Sequence, residues 1–445
     1  MERNLTQGSI SRSLILFSLP MILGNLIQQL YNVADTLIVG KTIGPTALSA
    51  VGSSYSLMTL LTSVILGLCM GSGVVFSHLY GAGRREELRT AVFNAFFFVL
   101  VVSAALNAGA FALLERLLVW LNIPAEAVDY TREYLSIIFV GMSFVSLYNF
   151  LAAVLRSIGD TAIPLLFLAV SAVTNIVLDL VFILRFGMGV GGAAWATVLA
   201  QGLSAVCMAV YFLLRARELR PRRSNMHLDR GLLHLIFSNS VLTAVQQSIM
   251  NLGILMVQGL VNSFGFAVSA AFAAVVKIDA FAYMPAQDFG NAFATFVAQN
   301  YGAGKGDRIR RGLGTALKLS GGFCILSSAC VALLARPLML LFIEPEETEI
   351  LAVGVTYLHI EGVFYIGIGI LFLLYALYRG LGRPEMSIVL TVVSLGTRVA
   401  LAYALSALPA VGLVGIWWSV PIGWALADLL GLWYYRRRRR KLLPE

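Results

Sequence analysis

Charge is scarce in this chain. Asp, Glu, Lys and Arg make up 12% of its 445 residues, about half the share of a soluble globular domain. Hydrophobic residues reach 59%, a balance that excludes soluble and disordered classes and implies a polytopic membrane protein. Cysteine is sparse as well. Cys69, Cys207, Cys324 and Cys330 all fall inside apolar segments, without the paired loop spacing of a disulfide framework or a zinc site, and read as small core residues. Histidine occurs only at positions 78, 227, 234 and 359, too scattered for a metal centre or a general base, and there is no HExxH. GAGKG at Gly302 lacks the four-residue spacing and the following Ser or Thr of a phosphate loop, so it reads as a helix-ending glycine turn. No catalytic centre, cofactor or structural metal is expected. No short apolar segment with a small-residue cleavage site precedes the first long helix, so no removable signal peptide is expected.

Long apolar runs fill the space that charge leaves. About 20 such residues cross a bilayer as a helix. Twelve spans are read, at 14–38, 47–78, 91–114, 128–155, 163–184, 191–213, 232–257, 267–299, 312–335, 349–377, 386–407 and 413–435. Basic residues cluster in alternate loops. One side receives Arg3 and Arg12, Arg84, Arg85 and Arg89, Arg156, the run from Arg215 to Arg230, Lys305 to Arg311, Arg379 and Arg383, and Arg436 to Lys441. The other side holds only Lys41, Arg116, Arg132, Arg185 and Arg336. The positive-inside rule then places both termini in the cytoplasm, in a cell (inner or plasma) membrane. The net charge of +9 belongs to lipid-facing loops and a lipid-anchoring tail rather than to a nucleic-acid arm.

The chain repeats itself. YGAGRREELR at Tyr80 returns as YGAGKGDRIR at Tyr301, LRSIG with Arg156 returns as YRGLG with Arg379, Gly192 and Trp195 return as Gly415 and Trp418, and Gln28 and Asn32 return as Gln247 and Asn251. The reading is an N-terminal lobe at 1–214, a basic cytoplasmic linker at 215–231 and a C-terminal lobe at 232–445. Six spans per lobe is an even number, so the repeats are parallel. The expected fold is an all-α integral membrane protein of twelve helices, in two six-helix halves related by a pseudo-two-fold axis along the membrane normal.

The first apolar stretch, Leu14 to Gly40, contains one carboxylate, Asp35. Such a group costs roughly 2.5–3.5 kcal/mol at a helix centre, so it faces a bundle interior or a watery cavity. Gln28, Asn32 and Asp35 form one polar stripe at helical spacing. Pro20, about four turns upstream, removes a backbone hydrogen bond and is expected to kink the helix. In the fifth span Asn175 and Asp179 share a face, and Thr197 projects from the sixth. Two carboxylates, an amide oxygen and a hydroxyl suit a hard cation or a proton; the alternative is a structural polar network. The matching second-half positions are Ile254, Arg398, Ala402 and Val420, so the coupling ion is placed in the first half.

The second half has charges of its own: Lys277, Asp279 and Asp288, then Glu361, Arg398 and Asp428. Mutual neutralisation is expected, with Arg398 and Lys277 pairing acids across helices and Asp279 or Asp288 also open to substrate. Tyr31, Tyr148, Asn149, Gln246, Gln247, Asn251, Tyr283 and Met284, with Gln28, Asn32 and Asp288, are candidates to line a cavity for amphipathic ligands. Taken singly, each of the aromatic, amide and Met side chains reads as packing.

Taken together, NVADTLIVGKTIGPTALSAVG, the repeated YGAG, LRSIGDT, TNIVLDLVFI and GVGGAAWATVLAQ resemble the multidrug and toxic compound extrusion family over nearly the whole chain. The resemblance implies an antiporter that expels organic, often cationic compounds against inward flow of Na⁺ or H⁺. In its DinF-related, bacterial branch the ion site maps onto Asp35, Asn175, Asp179 and Thr197, and the kinking proline onto Pro20. The NorM-related branch carries an acid on the seventh helix, where this chain has Gln246 and Gln247. The expected partners are small organic molecules and membrane lipid, with a monomer sufficient. Alternatives are a flippase for lipid or a lipid-linked saccharide, a membrane-embedded enzyme and a channel; the first expects a strongly cationic cavity, and the second lacks its motifs.

Overall fold

The computed structural model describes residues 4–120, 123 and 125–444, with the side chains of Pro45 and Ser56 left aside. Arg3, one of the basic residues counted above, lies outside the described residues. The first half comprises α1 (Ile10–Thr42), α2 (Pro45–Gly81), α3 (Arg85–Ala112), a short α4 (Leu114–Trp120), α5 (Val128–Ser157), α6 (Ala162–Asp179) and α7 (Gly189–Arg215). The second comprises α8 (Arg230–Asn262), α9 (Phe266–Gly302), α10 (Gly306–Met339), α11 (Thr348–Glu361), α12 (Tyr365–Gly380), α13 (Pro384–Ser406) and α14 (Gly412–Leu442). No strand occurs among the described residues. Among the described residues, twelve helical segments are long and apolar enough to cross a membrane, α11 and α12 jointly forming one of them. Their outer faces remain apolar, as at Leu30, Leu37, Val173, Val177 and Leu333, which is where lipid would lie.

Every expected span is helical over most of its length, with local departures: a turn residue at Leu113 between α3 and α4, a kink at Leu334 in α10, and two larger changes. The span expected at 349–377 is interrupted by a 3₁₀ turn at Gly362–Phe364. The fifth span changes pitch directly after Asp179, where Leu180–Arg185 forms a π-helical turn. The amide of Phe186 donates to the carbonyl of Val181 at 3.1 Å, the i to i+5 pairing of that geometry. α1 is helical throughout Ile10–Thr42 with Pro20 inside it.

The chain resolves into two compact units. One comprises Asn4 and Leu23–Ala244, the other Leu5–Ile22 and Val245–Glu445. The division expected in the linker at 215–231 therefore falls elsewhere, within α1 and within α8. The cause is where the start of each helix docks. In the second unit Leu5, Leu14 and Phe17 are fully buried in the core. Arg308 donates to the carbonyls of Leu5 (3.1 Å), Gln7 (2.7 Å) and Gly8 (2.8 Å), and Gln299 Oε1 accepts from the Leu5 amide at 3.1 Å. In the first unit the expected linker is folded onto α3. Arg89 Nε donates to the Glu218 carbonyl at 2.9 Å, Asn225 Nδ2 donates to Glu86 Oε2 at 3.1 Å, and Asn94 donates to the His227 carbonyl and accepts from the Asp229 amide, each at 3.0 Å.

Within a bilayer apolar burial gives no hydrophobic drive between helices, so close packing and hydrogen bonds decide which helices meet. In the first unit α2 presents Gly67 and Gly71 to the first part of α8. A Cβ at Gly71 would lie 2.4 Å from the Asn239 carbonyl oxygen and Ser240 Cα, and one at Gly67 2.3 Å from Ala244 Cα. Side-chain-free positions four apart let the two backbones touch, and the hydroxyls of Ser72 and Ser240 then bond at 2.9 Å. In the second unit Phe272 stacks on Trp417 with centroids 5.8 Å apart, and Tyr357 meets the same indole edge-on at 4.8 Å. The repeated YGAG is a helix terminus in both units. Gly83 and Gly304 take φ of 72° and 69°, and the amides of Arg84 and Lys305 reach back to the carbonyls of Leu79 (3.0 Å) and Asn300 (2.9 Å), closing the last turn in the manner of a Schellman cap.

Candidate functional site

A polar centre lies inside the first unit, built from four helices. α1 supplies Asp35 (9% exposed), and α6 supplies Asn175 (2%) and Asp179 (0%). The i, i+4 spacing puts the two α6 side chains on one face. α7 supplies Thr197, whose Oγ1 accepts from Asn175 Nδ2 at 3.2 Å. Asp35 and Asp179 face one another closely enough to interact. Yet Asp35 Oδ1, Asn175 Oδ1 and both carboxylate oxygens of Asp179 have no hydrogen-bond donor among the described residues. Buried acceptors are nearly always satisfied. An arrangement of oxygens with no donors has the chemistry to accept a hard cation or a proton.

The structure thus brings together all four residues expected there, and adds four. Tyr134 of α5 acts on Asp35, Asp179 and Tyr31, while Gln28 and Gln201 both reach the Tyr31 hydroxyl. Tyr134 also belongs to a buried apolar cluster with Val39, Ile138, Ile183 and Val198, which closes the centre on that flank. Sequence alone offered little to single out Tyr134 and Gln201. A tyrosine in an apolar span reads as packing, and Gln201 lies one turn beyond Thr197 in a segment of small residues.

Three other expected cavity residues bond as follows. Asn32 Nδ2 donates to Gln29 Oε1 at 3.4 Å, the Tyr148 hydroxyl to the Pro164 carbonyl at 2.7 Å, and Asn149 Nδ2 to the Val145 carbonyl of its own helix at 2.8 Å. These bonds tie Tyr148 to the backbone of α6 and Asn149 to that of its own helix.

In the second unit Gln246 and Gln247 line a small cavity of about 10 Å³ together with Met250, Gln287, Asn291, Phe372, Tyr375 and Arg379. Asn251, Met284 and Asp288 are not among its walls; Tyr283 packs on Phe372 with ring centroids 6.1 Å apart. The second-half charges divide differently from the expected pairing. Asp279 accepts from the hydroxyls of Tyr357, at 2.8 Å, and Tyr365. Arg398 acts electrostatically on Asp279 and on Glu361, and its Nε, like Glu361 Oε2, has no hydrogen-bond partner among the described residues. Lys277 does not join this group. It is exposed and stands 5.7 Å over the Phe342 ring, because residues two apart on a helix point in different directions.

Twelve apolar helices with a polar, acid-bearing centre shut inside the bundle define a multi-pass membrane protein, and comparison with known proteins places it further. The MatE family pattern matches residues 20–181 and again 243–404, once in each half of the repeat. The chain belongs to the MatE family, a family of transporters rather than enzymes. It is 30% identical to the probable multidrug resistance protein YpnP of Bacillus subtilis, over 98% of this chain and 97% of that protein. To the probable multidrug resistance protein NorM of Thermotoga maritima it is 25% identical, over 92% and 88% of the two chains. Its fold matches that of a MOP superfamily transporter from Pyrococcus furiosus with a TM-score of 0.93 at 24% identity, covering 99% and 98%.

Proposed function

We propose that the protein is a secondary active antiporter of the cell membrane that exports small organic compounds, cationic and amphipathic ones among them, against inward movement of Na⁺ or H⁺. Both termini are placed in the cytoplasm, following the alternation of basic loops, and one chain, carrying both halves, suffices. The observation that carries the reading is the buried acid centre with its unpartnered oxygens on Asp35, Asn175 and Asp179. The names of the relatives, multidrug resistance proteins, support the substrate class.

Two neighbouring carboxylates out of water are costly unless a positive charge joins them. Open to the outside, the centre takes up a cation or a proton at Asp35 and Asp179, and Asn175 and Thr197 add neutral oxygens. Neutralised, the centre can close away from water; empty, it favours access to water. A substrate that binds the two states with different affinity is then driven outward by the ion's inward movement, and that difference sets the coupling. The π turn next to Asp179 is the local backbone feature at the ion, a geometry that recurs at functional sites.

The test is efflux of ethidium from reconstituted vesicles, with Na⁺ and pH gradients imposed separately, for wild type and Asp35→Asn. Gradient-driven efflux is expected in the wild type and not in the variant at equal expression; the gradient that drives it names the ion. Unchanged coupling in Asp35→Asn, or no transport under either gradient, would overturn the reading.

A further inference from the structure

The first unit carries an open groove of about 380 Å³ between α6 and α7. Phe167 of α6 lies across from a strip of α7 that runs from Val206 through Cys207, Val210 and Leu214 to Arg215. Val206, Val210 and Leu214, spaced at i, i+4 and i+8, share one helix face. The two helices are tied here by the Ser204 hydroxyl, which donates to the Phe167 carbonyl at 3.0 Å, and by the rings of Phe167 and Tyr211, edge to face with centroids 6.2 Å apart. Val206, Val210 and Leu214 are 52%, 48% and 64% exposed, so the strip is apolar and open. Its end differs. Arg215 is exposed and forms no ion pair among the described residues. The nearest acid along the chain, Glu218, faces Arg85 at 3.8 Å instead. Arg215 also opens the basic run that continues to Arg230.

The matching strip of the second half is built differently. In the register that pairs Gly192 with Gly415 and Trp195 with Trp418, Cys207 and Val210 become Leu430 and Trp433, and Leu214 becomes Arg437. Arg437 lies over the Trp433 ring, 5.4 Å from its centroid. A bulky ring with a cation of its own thus stands where the first half has small side chains. Leu390, the counterpart of Phe167, is fully buried.

We propose that this groove is a binding site for an anionic phospholipid, with one acyl chain along the strip and the phosphate at Arg215. The length fits: from Val206 to Arg215 an α-helix rises about 13 Å, close to half of the roughly 30 Å hydrocarbon core and so to the depth of one leaflet. The volume falls at the low end of the range of small-molecule sites, about 300–1,000 Å³. Inside a bilayer the exchange of one apolar chain for another gains little, so the head group selects what is bound. A guanidinium with no acid of its own takes a phosphate in two-point contact. The basic run beside it favours a lipid of net negative charge over a zwitterionic one. The site stands apart from the cation-coupled export proposed above, and failure of ethidium efflux would leave it intact.

The chain's own thiols supply the test. Cys207 lines the groove, and the exposed Cys330 in the second half is the internal control. The purified full chain in detergent is alkylated with N-ethylmaleimide in the presence of phosphatidylglycerol or phosphatidylcholine, and modification of each cysteine is followed by peptide mass spectrometry. Phosphatidylglycerol is expected to slow alkylation of Cys207 about fivefold relative to phosphatidylcholine, the scale of one basic side chain at an anionic lipid surface. Cys330 should react alike in both. Arg215→Gln, a change at an exposed position, removes the difference at Cys207. Val210→Trp fills the groove with the side chain that the second half uses; it keeps the unfolding temperature in phosphatidylcholine and also removes the difference. Equal Cys207 rates in the two lipids, or phosphatidylglycerol protection that survives either variant, overturns the proposal.

Discussion

Replacing Asp179 by Asn is expected to make the protein more stable and less able to respond to its ion. The side chain keeps its shape, loses its charge and gains two N–H donors. Asp35 Oδ1 and Asn175 Oδ1, which have no donor among the described residues, are the unpartnered acceptors of the same centre. A bond to a carboxylate is worth about 1.5–3 kcal/mol and one between amides about 0.5–1.5 kcal/mol. If both form, they give a gain of about 2–4.5 kcal/mol before the relief of like-charge repulsion is counted. In detergent, with neither Na⁺ nor acid present, the apparent unfolding temperature of Asp179→Asn should lie several degrees above that of the wild type. The wild type should then close the gap as ion is added, since saturation at a hundred times the dissociation constant contributes about 2.7 kcal/mol. The variant's curve should stay flat. Titrating Na⁺ at fixed pH, and pH without Na⁺, shows which ion does this. A variant less stable than wild type in ion-free buffer, or one that keeps the full ion-dependent shift, would refute the reasoning.

Three further outcomes follow from the packing. Gly71→Val should destabilise by about 1–3 kcal/mol or more, because its Cβ would meet α8 backbone at 2.4 Å and overpacked sites relax poorly; Gly52→Ala, with nothing within 4 Å of the added atom, is the neutral comparison in the same thermal assay. Tyr365→Phe removes one of two hydroxyls that donate to Asp279 and should cost about 1–3 kcal/mol. A Tyr357→Phe, Tyr365→Phe double variant as stable as wild type would show that the carboxylate has no need of them. Arg308→Gln should free the residues before α1, which the guanidinium holds by their carbonyls. Trypsin cleavage at the exposed Arg12 should accelerate severalfold, and an unchanged digestion rate would contradict the clamp.

What could be read from the chain, and what could not, follows from the range of the forces involved. The spans were legible because lipid leaves a helix few choices of composition over about 20 residues. The acid centre was legible because Asn175 and Asp179 share a helix face and because the second half puts Ile254, Arg398, Ala402 and Val420 at the matching places. Tyr134 and Gln201 were hidden, since their part in the centre depends on how α1, α5 and α7 meet, and no local pattern records that. The change of partner within α1 and α8 was hidden for the same reason: it depends on Leu14 and Phe17 finding a core formed by residues far along the chain. The break at Gly362–Phe364 carries no proline, and so gave no local sign. Lys277 was assigned to the wrong company because a charge in an apolar segment looks like half of a pair; beside Phe342 its ammonium has an aromatic face instead.

The wide turn after Asp179 bears on how this protein tolerates change. A π turn accommodates one residue more than an α-helix needs over the same rise, so Leu180–Arg185 stores a spare residue beside Asn175 and Asp179. Deleting one residue there would let the segment wind back to ordinary pitch while Asn175 and Asp179 kept their spacing. Deleting one residue between those two would instead swing the carboxylate about 100° round the helix. Length variation in this span is therefore expected to be survivable on one side of Asp179 and fatal to the site on the other, a polarity that a scan of single-residue deletions would expose.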